Sequence, residues 1–325
     1  MKNKLKGYLP SALKKASVFS KGHAFTAIIA LSLTLFSSSC NRDHSTIEVS
    51  DGKVPLVINV NGISQSYSGM ADTKAVVDVG EVCTNLSCAI YTTNGETTDK
   101  IQINQNSSEE SFGTVSTNIS VGLHKIVVVA HSGDKNPTMT NPESISFSNT
   151  TTLKTTDVFC WSAEVDVTAE TGVIEVNLVR VTAMFRLVMT DSEIPSQVVS
   201  LNFRYTGGSA ALNPSTGEGT TKSTQNEAFT IETGQKTFEV YTIPRFEEKD
   251  GERVASKLKI TISAIDEYGN NVKERILEDV PVTKNWITRC SGEFFEGGCL
   301  EFSTIGFEGL QVEEDWEGID DVLLN

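Results

Sequence analysis

The chain has 325 residues, with 27 lysines and arginines against 42 aspartates and glutamates, and a formal net charge of −15 at pH 7. Phosphate backbones are held by clustered Lys and Arg, so this acidic balance argues against a nucleic-acid partner. The length suits two average domains behind a leader.

The first 39 residues carry six lysines and no acidic residue, which leaves the rest at about −21. Their apolar run, 24–36, includes Thr26, Ser32 and Thr34 and falls short of the roughly 20 residues that a membrane-crossing helix needs. A basic start, a short apolar core and a run of small residues describe an export signal. That run ends at Cys40 in "LTLFSSSCNRDHS". Small residues before a cysteine resemble a bacterial lipoprotein signal, in which the thiol is diacylated at the mature N-terminus. A plain secretory signal is the alternative, and Ser37 stands where the commoner pattern has Leu or Val. Two acyl chains meet the requirement for lasting attachment. The expected division is a signal peptide at 1–39 and a lipidated tether at 40–50.

Beyond the tether, strands are predicted almost throughout. "VPLVINVNG" opens the series, and "CAIYTTNGETTDKIQINQ" reads as a hairpin turning at Asn94-Gly95. "GLHKIVVVAHSGD" is an apolar strand ended by a turn signal. The polar stretch 136–156 reads as a long surface loop. "VIEVNLVRVTAMFRLVMTD" reads as one strand, with Val179, Val181, Ala183, Phe185, Leu187 and Met189 on one face. Arg180, Thr182 and Arg186 share the other face with Leu178, Met184 and Val188, so Arg180 and Arg186 are candidates for a domain seam or interface. Farther on, "KTFEVYTIP" is a strand, and "KLKITISAID" alternates Leu258, Ile260, Ile262 and Ala264 against polar residues. "VKERILEDVPV" returns as its partner across "EYGNN". No run of 12 or more residues has a capped helical stripe. The predicted class is all-β, with one sandwich at 51–170 and another at 171–325, divided near Thr168–Gly172.

Little in this pattern carries chemistry. "YTGGSAALNPSTGEGTTKS" lacks the Gly-Lys-Ser/Thr order that opens a phosphate-binding helix, and reads as a glycine-rich sandwich loop. His23 leaves with the signal, His44 sits in the tether, and His124 and His131 fall on opposite faces of one strand. The acidic runs "FEEKDGE" and "QVEEDWEGIDD" lack the spacing of an oxygen cage. Besides Cys40 there are Cys83, Cys88, Cys160, Cys290 and Cys299, an odd number. Local pairs Cys83–Cys88 and Cys290–Cys299 are the candidate disulfides. No metal, cofactor or catalytic residue is predicted, and the chain is not expected to be an enzyme.

The strings "VNLVRVTAMFRLVMTDSEIPSQVVSLNFRYTGGSAALNPSTGEG", "LKITISAIDEYGNNVKERILEDVPVTKNWITRCSGEFFEGG" and "EEDW" together resemble the FimB-like fimbrial-subunit lipoproteins of Bacteroidales, relatives of fimbrillin and components of type V pili. The match runs from about Asp157 to Trp316; 40–156 agrees in general character. The resemblance implies two tandem transthyretin-like, Greek-key sandwiches, exported to the outer membrane and exposed there as shaft, anchor or tip components of fimbriae. The implied partners are other fimbrial subunits, joined by strand addition at a sheet edge, and the outer membrane through the lipid. A surface adhesin binding host glycan or protein is the alternative. Shaft subunits of the family lose an N-terminal strand after an arginine, yet this chain has none between Arg42 and Arg180. That departure favours an anchor or accessory component that keeps its lipid. Cysteines at 290 and 299 are also not expected from the resemblance.

Overall fold

The alternation of apolar and polar residues becomes two stacked pairs of sheets. The structure is a computed structural model that describes residues 52–64, 76–94, 97–147, 155–296, 301–303 and 318–320. Cys40, the expected signal and tether, Gly95 and Cys299 lie outside the described residues.

The first half comprises β1 (Lys53–Ser64), β2 (Val76–Val77), α1 (Val79–Val82), β3 (Asn85–Asn94), β4 (Thr97–Asn106), β5 (Thr114–Ser120), β6 (Gly122–His131), β7 (Thr138–Asn141), β8 (Ser144–Ser146), β9 (Val158–Val167) and β10 (Val173–Arg180). One layer runs β5-β1-β10, with β2 at the end of β1; the other runs β4-β3-β6-β9. On β1, Val54, Leu56, Ile58 and Val60 turn inward by period two and meet Leu86, Cys88 and Ile90 of β3 and Ile126, Val128 and Ala130 of β6. The hairpin expected at Asn94-Gly95 is present as β3 and β4, with Asn94 paired to Thr97.

The second half comprises β11 (Ala183–Met189), β12 (Val198–Thr206), β13 (Ala211–Asn213), β14 (Glu218–Gly219), β15 (Thr224–Thr230), β16 (Thr237–Thr242), β17 (Phe246–Lys249), β18 (Glu252–Ala255), β19 (Leu258–Asp266), β20 (Asn271–Val280), β21 (Trp286–Gly292), β22 (Glu301–Ser303) and β23 (Gly318–Asp320). Its layers are β16-β11-β21 and β15-β12-β19-β20, around a core that includes Phe185, Leu187, Phe203, Ile260, Ile262 and Phe294. Leu258, Ile260, Ile262 and Ala264 of β19 are all buried, as their alternation predicts. In each half the first and last layer strands, β1 with β10 and β11 with β21, run parallel. Strand for strand, β1, β3, β4, β5, β6, β9 and β10 correspond to β11, β12, β15, β16, β19, β20 and β21. One topology is repeated without a visible sequence repeat.

Two expectations are corrected here. The segment read as a single strand is two, because β10 stops at Arg180 and β11 begins at Ala183. Parity inverts across the break: Val176 and Leu178 are buried in the first core, Val179 is half exposed, and Ala183, Phe185 and Leu187 are buried in the second. A shift of one residue in a period-two element exchanges its faces. The first core therefore takes in all of β10, and the change of core falls at Val181–Thr182 instead of near Gly172.

The first part of the stretch expected to be a surface loop also holds two strands. Its β7 and β8 form a small sheet with β13 and β14, in which Ile145 pairs with Leu212. A third core beneath joins Tyr91, Val127 and Val129 of the first half to Leu212 and Ile243 of the second. Residues 49–325 accordingly cohere as one unit.

Candidate functional site

The two equivalent outer strands, β10 and β21, end their sheets differently. β10 has β1 on one side. On its other side β9 pairs only through Val179 with Cys160 and Arg180 with Phe159. Along Val173–Leu178 no described strand occupies that side. The two layers part there, and Trp161 and Val165 of β9 and Ile174 of β10 are only partly buried against the first core. Val173 and Val179 stand 56% and 50% exposed. In the second half the corresponding side of β21 is covered by the chain itself. Gly318–Asp320 pairs in parallel with Trp286–Thr288, and Glu301–Ser303 pairs antiparallel with Arg289–Ser291. An uncovered row of backbone donors and acceptors beside apolar side chains is a template for another strand.

Of the two arginines singled out, Arg180 lies where the cores meet. Its Nε donates to both carboxylate oxygens of Asp157, at 3.1 and 2.9 Å, and Nη1 donates to Oδ1 of Asn285 at 3.2 Å. Its guanidinium lies 4.8 Å from the Phe159 ring centre, and Thr182 Oγ1 donates to Asp157 at 2.6 Å. Asn285, from the second half, holds a positive φ of 62°. Arg186 lies elsewhere, pairing across the sheet with Glu239 at 2.8 Å. The structure does not bring the two arginines together.

The seam also contains a polar network that sequence reading missed. Gln225 donates to Thr155 Oγ1 at 2.6 Å and accepts from Thr242 Oγ1 at 2.6 Å, all three being buried. Thr155 bridges to Tyr241 in the backbone. Gln225 and Glu227 both face inward from β15, and two polar residues at alternate positions of a strand are the sequence signal that hints at it.

The cysteines do not form the expected local pair. Cys83 and Cys88 are free and buried in the first core. Cys83 lies just before β3 and Cys88 is the fourth residue of that strand, and each stands as a free thiol. Cys160 is likewise free and buried, and so is Cys290, which faces the second core. Burial pushes the thiols of Cys88, Cys160 and Cys290 up to about 12, which leaves them protonated and unreactive.

His124 and His131 point to opposite faces and are both buried. His124 bonds Thr92 Oγ1 at 2.8 Å and Ser120 O at 2.7 Å. His131 Nδ1 accepts from the Gly133 amide at 3.0 Å, its Nε2 has no partner, and its ring meets Phe147 edge-on. Burial lowers its pKa from 6.5 to about 4. The unfolded chain therefore binds one more proton between those values. The neutral ring's contribution is complete above about pH 6.5 and is lost as pH falls toward 4, by up to about 3 kcal/mol. Urea unfolding at pH 7 and pH 4.5 should show this loss, and His131→Asn should flatten the difference; an unchanged difference would assign the acid sensitivity elsewhere.

The glycine-rich string is structural. Gly207 and Gly208 pass between the start of β19 and the end of β16 with no room for a side chain: a Cβ on Gly207 would lie 2.1 Å from Lys257 O, and one on Gly208 1.9 Å from Thr242 Oγ1.

A family model described as "Family of unknown function (DUF6562)" matches residues 72–318. No curated protein matches the sequence. Among solved structures, a candidate cell adhesion protein from Bacteroides ovatus is similar at a TM-score of 0.48 and 10% identity, over 81% of this chain and 99% of that one. A fimbrial assembly protein from Parabacteroides distasonis is similar at a TM-score of 0.35 and 12% identity, over 77% and 94%. The tip fimbrial protein Mfa3 from Porphyromonas gingivalis, with a C-terminal truncation, is similar at 0.39 and 9%, over 77% and 98%.

Proposed function

The chain belongs to this family of unknown function, and we propose that it is a cell-surface subunit of fimbrial type, held to the outer membrane by lipid on Cys40. In this reading it acts as an anchor or accessory component and joins its neighbour by strand addition along β10. The observation that carries the proposal is the contrast between two equivalent strands. One half closes its outer strand with the chain's own β22 and β23, while the other leaves β10 uncovered among the described residues.

Retention of β1 fits an anchor. Val54, Leu56, Ile58, Val60 and Ile63 are all buried. At about 2 kcal/mol each, removing β1 would forfeit on the order of 10 kcal/mol, comparable to the whole stability of a domain. β1 begins at the end of the first sandwich opposite the seam, and the 13 residues from Cys40 to Gly52 span at most about 45 Å. The lipid would then hold the base, with the second sandwich leading away from the membrane.

The test combines two measurements on material sheared from cells. Mass spectrometry is expected to find a diacylated Cys40 at the mature terminus, and a terminus beyond Ser64 would defeat the anchor reading. Val57 N–H donates to Gly172 O at 2.8 Å, so by the alternation of a parallel ladder the Glu175 amide faces the open side. Glu175→Pro is therefore expected to leave the subunit folded and to abolish its recovery in higher-order assemblies. Assembly undiminished in this variant would exclude β10 as the acceptor.

A further inference from the structure

Where β3 begins and β4 ends, beside the loop after β6, the first sandwich carries an open cleft of about 430 Å³. We propose that this cleft is a binding site for a neutral carbohydrate, gripped by hydrogen bonds to its hydroxyl groups. The inference does not depend on how the chain is anchored or assembled.

Every residue lining the cleft is an amide or a charged group, without one apolar side chain. Its floor is fixed before any ligand arrives. Asn106 Nδ2 donates to Asn85 Oδ1 at 3.3 Å, and Asn85 Nδ2 donates to Gly133 O at 2.9 Å. Gln105, itself buried, donates to Ser111 O and Thr114 O and accepts from the Gly113 amide, which pins the loop leading from β4 to β5. Asn104 has its oxygen engaged by Ser87 and Gln102 at 2.7 and 3.1 Å, which turns its NH2 group into an oriented donor. Against this donor, the loop after β6 sets Asp134 and Asn136 on the rim.

The donor set selects the ligand. A peptide would look for an apolar anchor pocket or a row of strand amides, and the lining offers no apolar anchor. An anion would meet Asp134 and Glu109 against the single Lys135. No group of three or more His, Cys, Asp or Glu that could hold a metal ion exists among the described residues. Sugar hydroxyls donate and accept at once, so neighbouring hydroxyls satisfy an amide NH2 and a carboxylate together. The Asn104 donor sits on a fixed floor, which limits the ordering that binding must impose there.

The experiment uses the full purified chain, applied to mannan, galactan and xylan immobilised on agarose, with polygalacturonate as the anionic control. Retention on at least one neutral polysaccharide and none on polygalacturonate is expected. Asp134→Ala and Asn136→Ala, both exposed on the loop, should each weaken retention about tenfold, the effect of losing one good hydrogen bond, at unchanged melting temperature. Glu278→Ala, in an exposed ion pair on the second sandwich, should retain the wild-type affinity. Binding to none of the neutral polymers, equal binding to polygalacturonate, or unaltered retention by the two cleft variants would overturn the proposal. So would retention abolished by EDTA, since a cation would then be doing the gripping.

Discussion

Gly207→Ala is expected to destabilise the chain by about 4 kcal/mol, from backbone strain and overpacking together. The residue holds φ at +115°, where an L side chain is strained whatever space surrounds it. Its Cβ would fall 2.1 Å from the carbonyl oxygen of Lys257 and 3.2 Å from Leu258 Cα. These are backbone atoms at the start of β19, and Leu258 is buried in the second core, so neither retreats without shifting a central strand. Gly208 offers no slack, because Thr242 beside it is tied to Gln225 at 2.6 Å. The control is Gly234→Ala, which has a positive φ of 81° but nothing within 4 Å, and should lose only about 1 kcal/mol. The midpoint of urea unfolding, at constant slope, distinguishes them. Equal shifts in the two variants would mean that conformation alone, and not the crossing with β19, requires glycine at 207.

Asp157→Ala is expected to lose about 3 kcal/mol and to loosen the coupling of the two halves. Arg180 and Asp157 are 8% and 18% exposed at their side chains, so their pairing is less screened than a surface ion pair. Removal of the carboxylate takes the Asp157 charge from a guanidinium enclosed beside Phe159, and removes the acceptor to which the Thr182 hydroxyl donates. The value sits at the low end for a buried pair because water still reaches Asp157. Asp157→Ala with Arg180→Met should recover most of the loss, as no uncompensated charge remains. Scanning calorimetry should show one transition in the wild type and a broadened or split one in the single variant. An unchanged single transition would show that the third core, with β7, β8, β13 and β14, holds the halves together unaided.

The strands were legible wherever a segment buries one face. In β1 and β19 the apolar residues recur every second position, and the buried ones are those that the alternation names. The same rule failed at 173–189, since a pattern of apolar residues does not show that two successive strands serve different cores. Val181 and Thr182 sit at the turn between them, both buried, and nothing in their identity announces a change of face. The small sheet of β7, β8, β13 and β14 was illegible for another reason. Each strand is two to four residues long, too short for a period, and the pairing of β8 with β13 joins residues more than 60 positions apart.

The cleft residues were similarly hidden. Asn85, Asn104, Asp134 and Asn136 carry no motif, and they come together only because the start of β3, the end of β4 and the loop after β6 lie side by side. The sequence by itself determined the all-β class, the position of most strands and the structural character of the glycine pair, because these follow from local periodicity and steric demand. Which strand edge stays open, which thiols remain apart and which polar groups converge were decided by tertiary structure alone. Those properties depend on distances between segments remote in the chain, which local pattern does not encode.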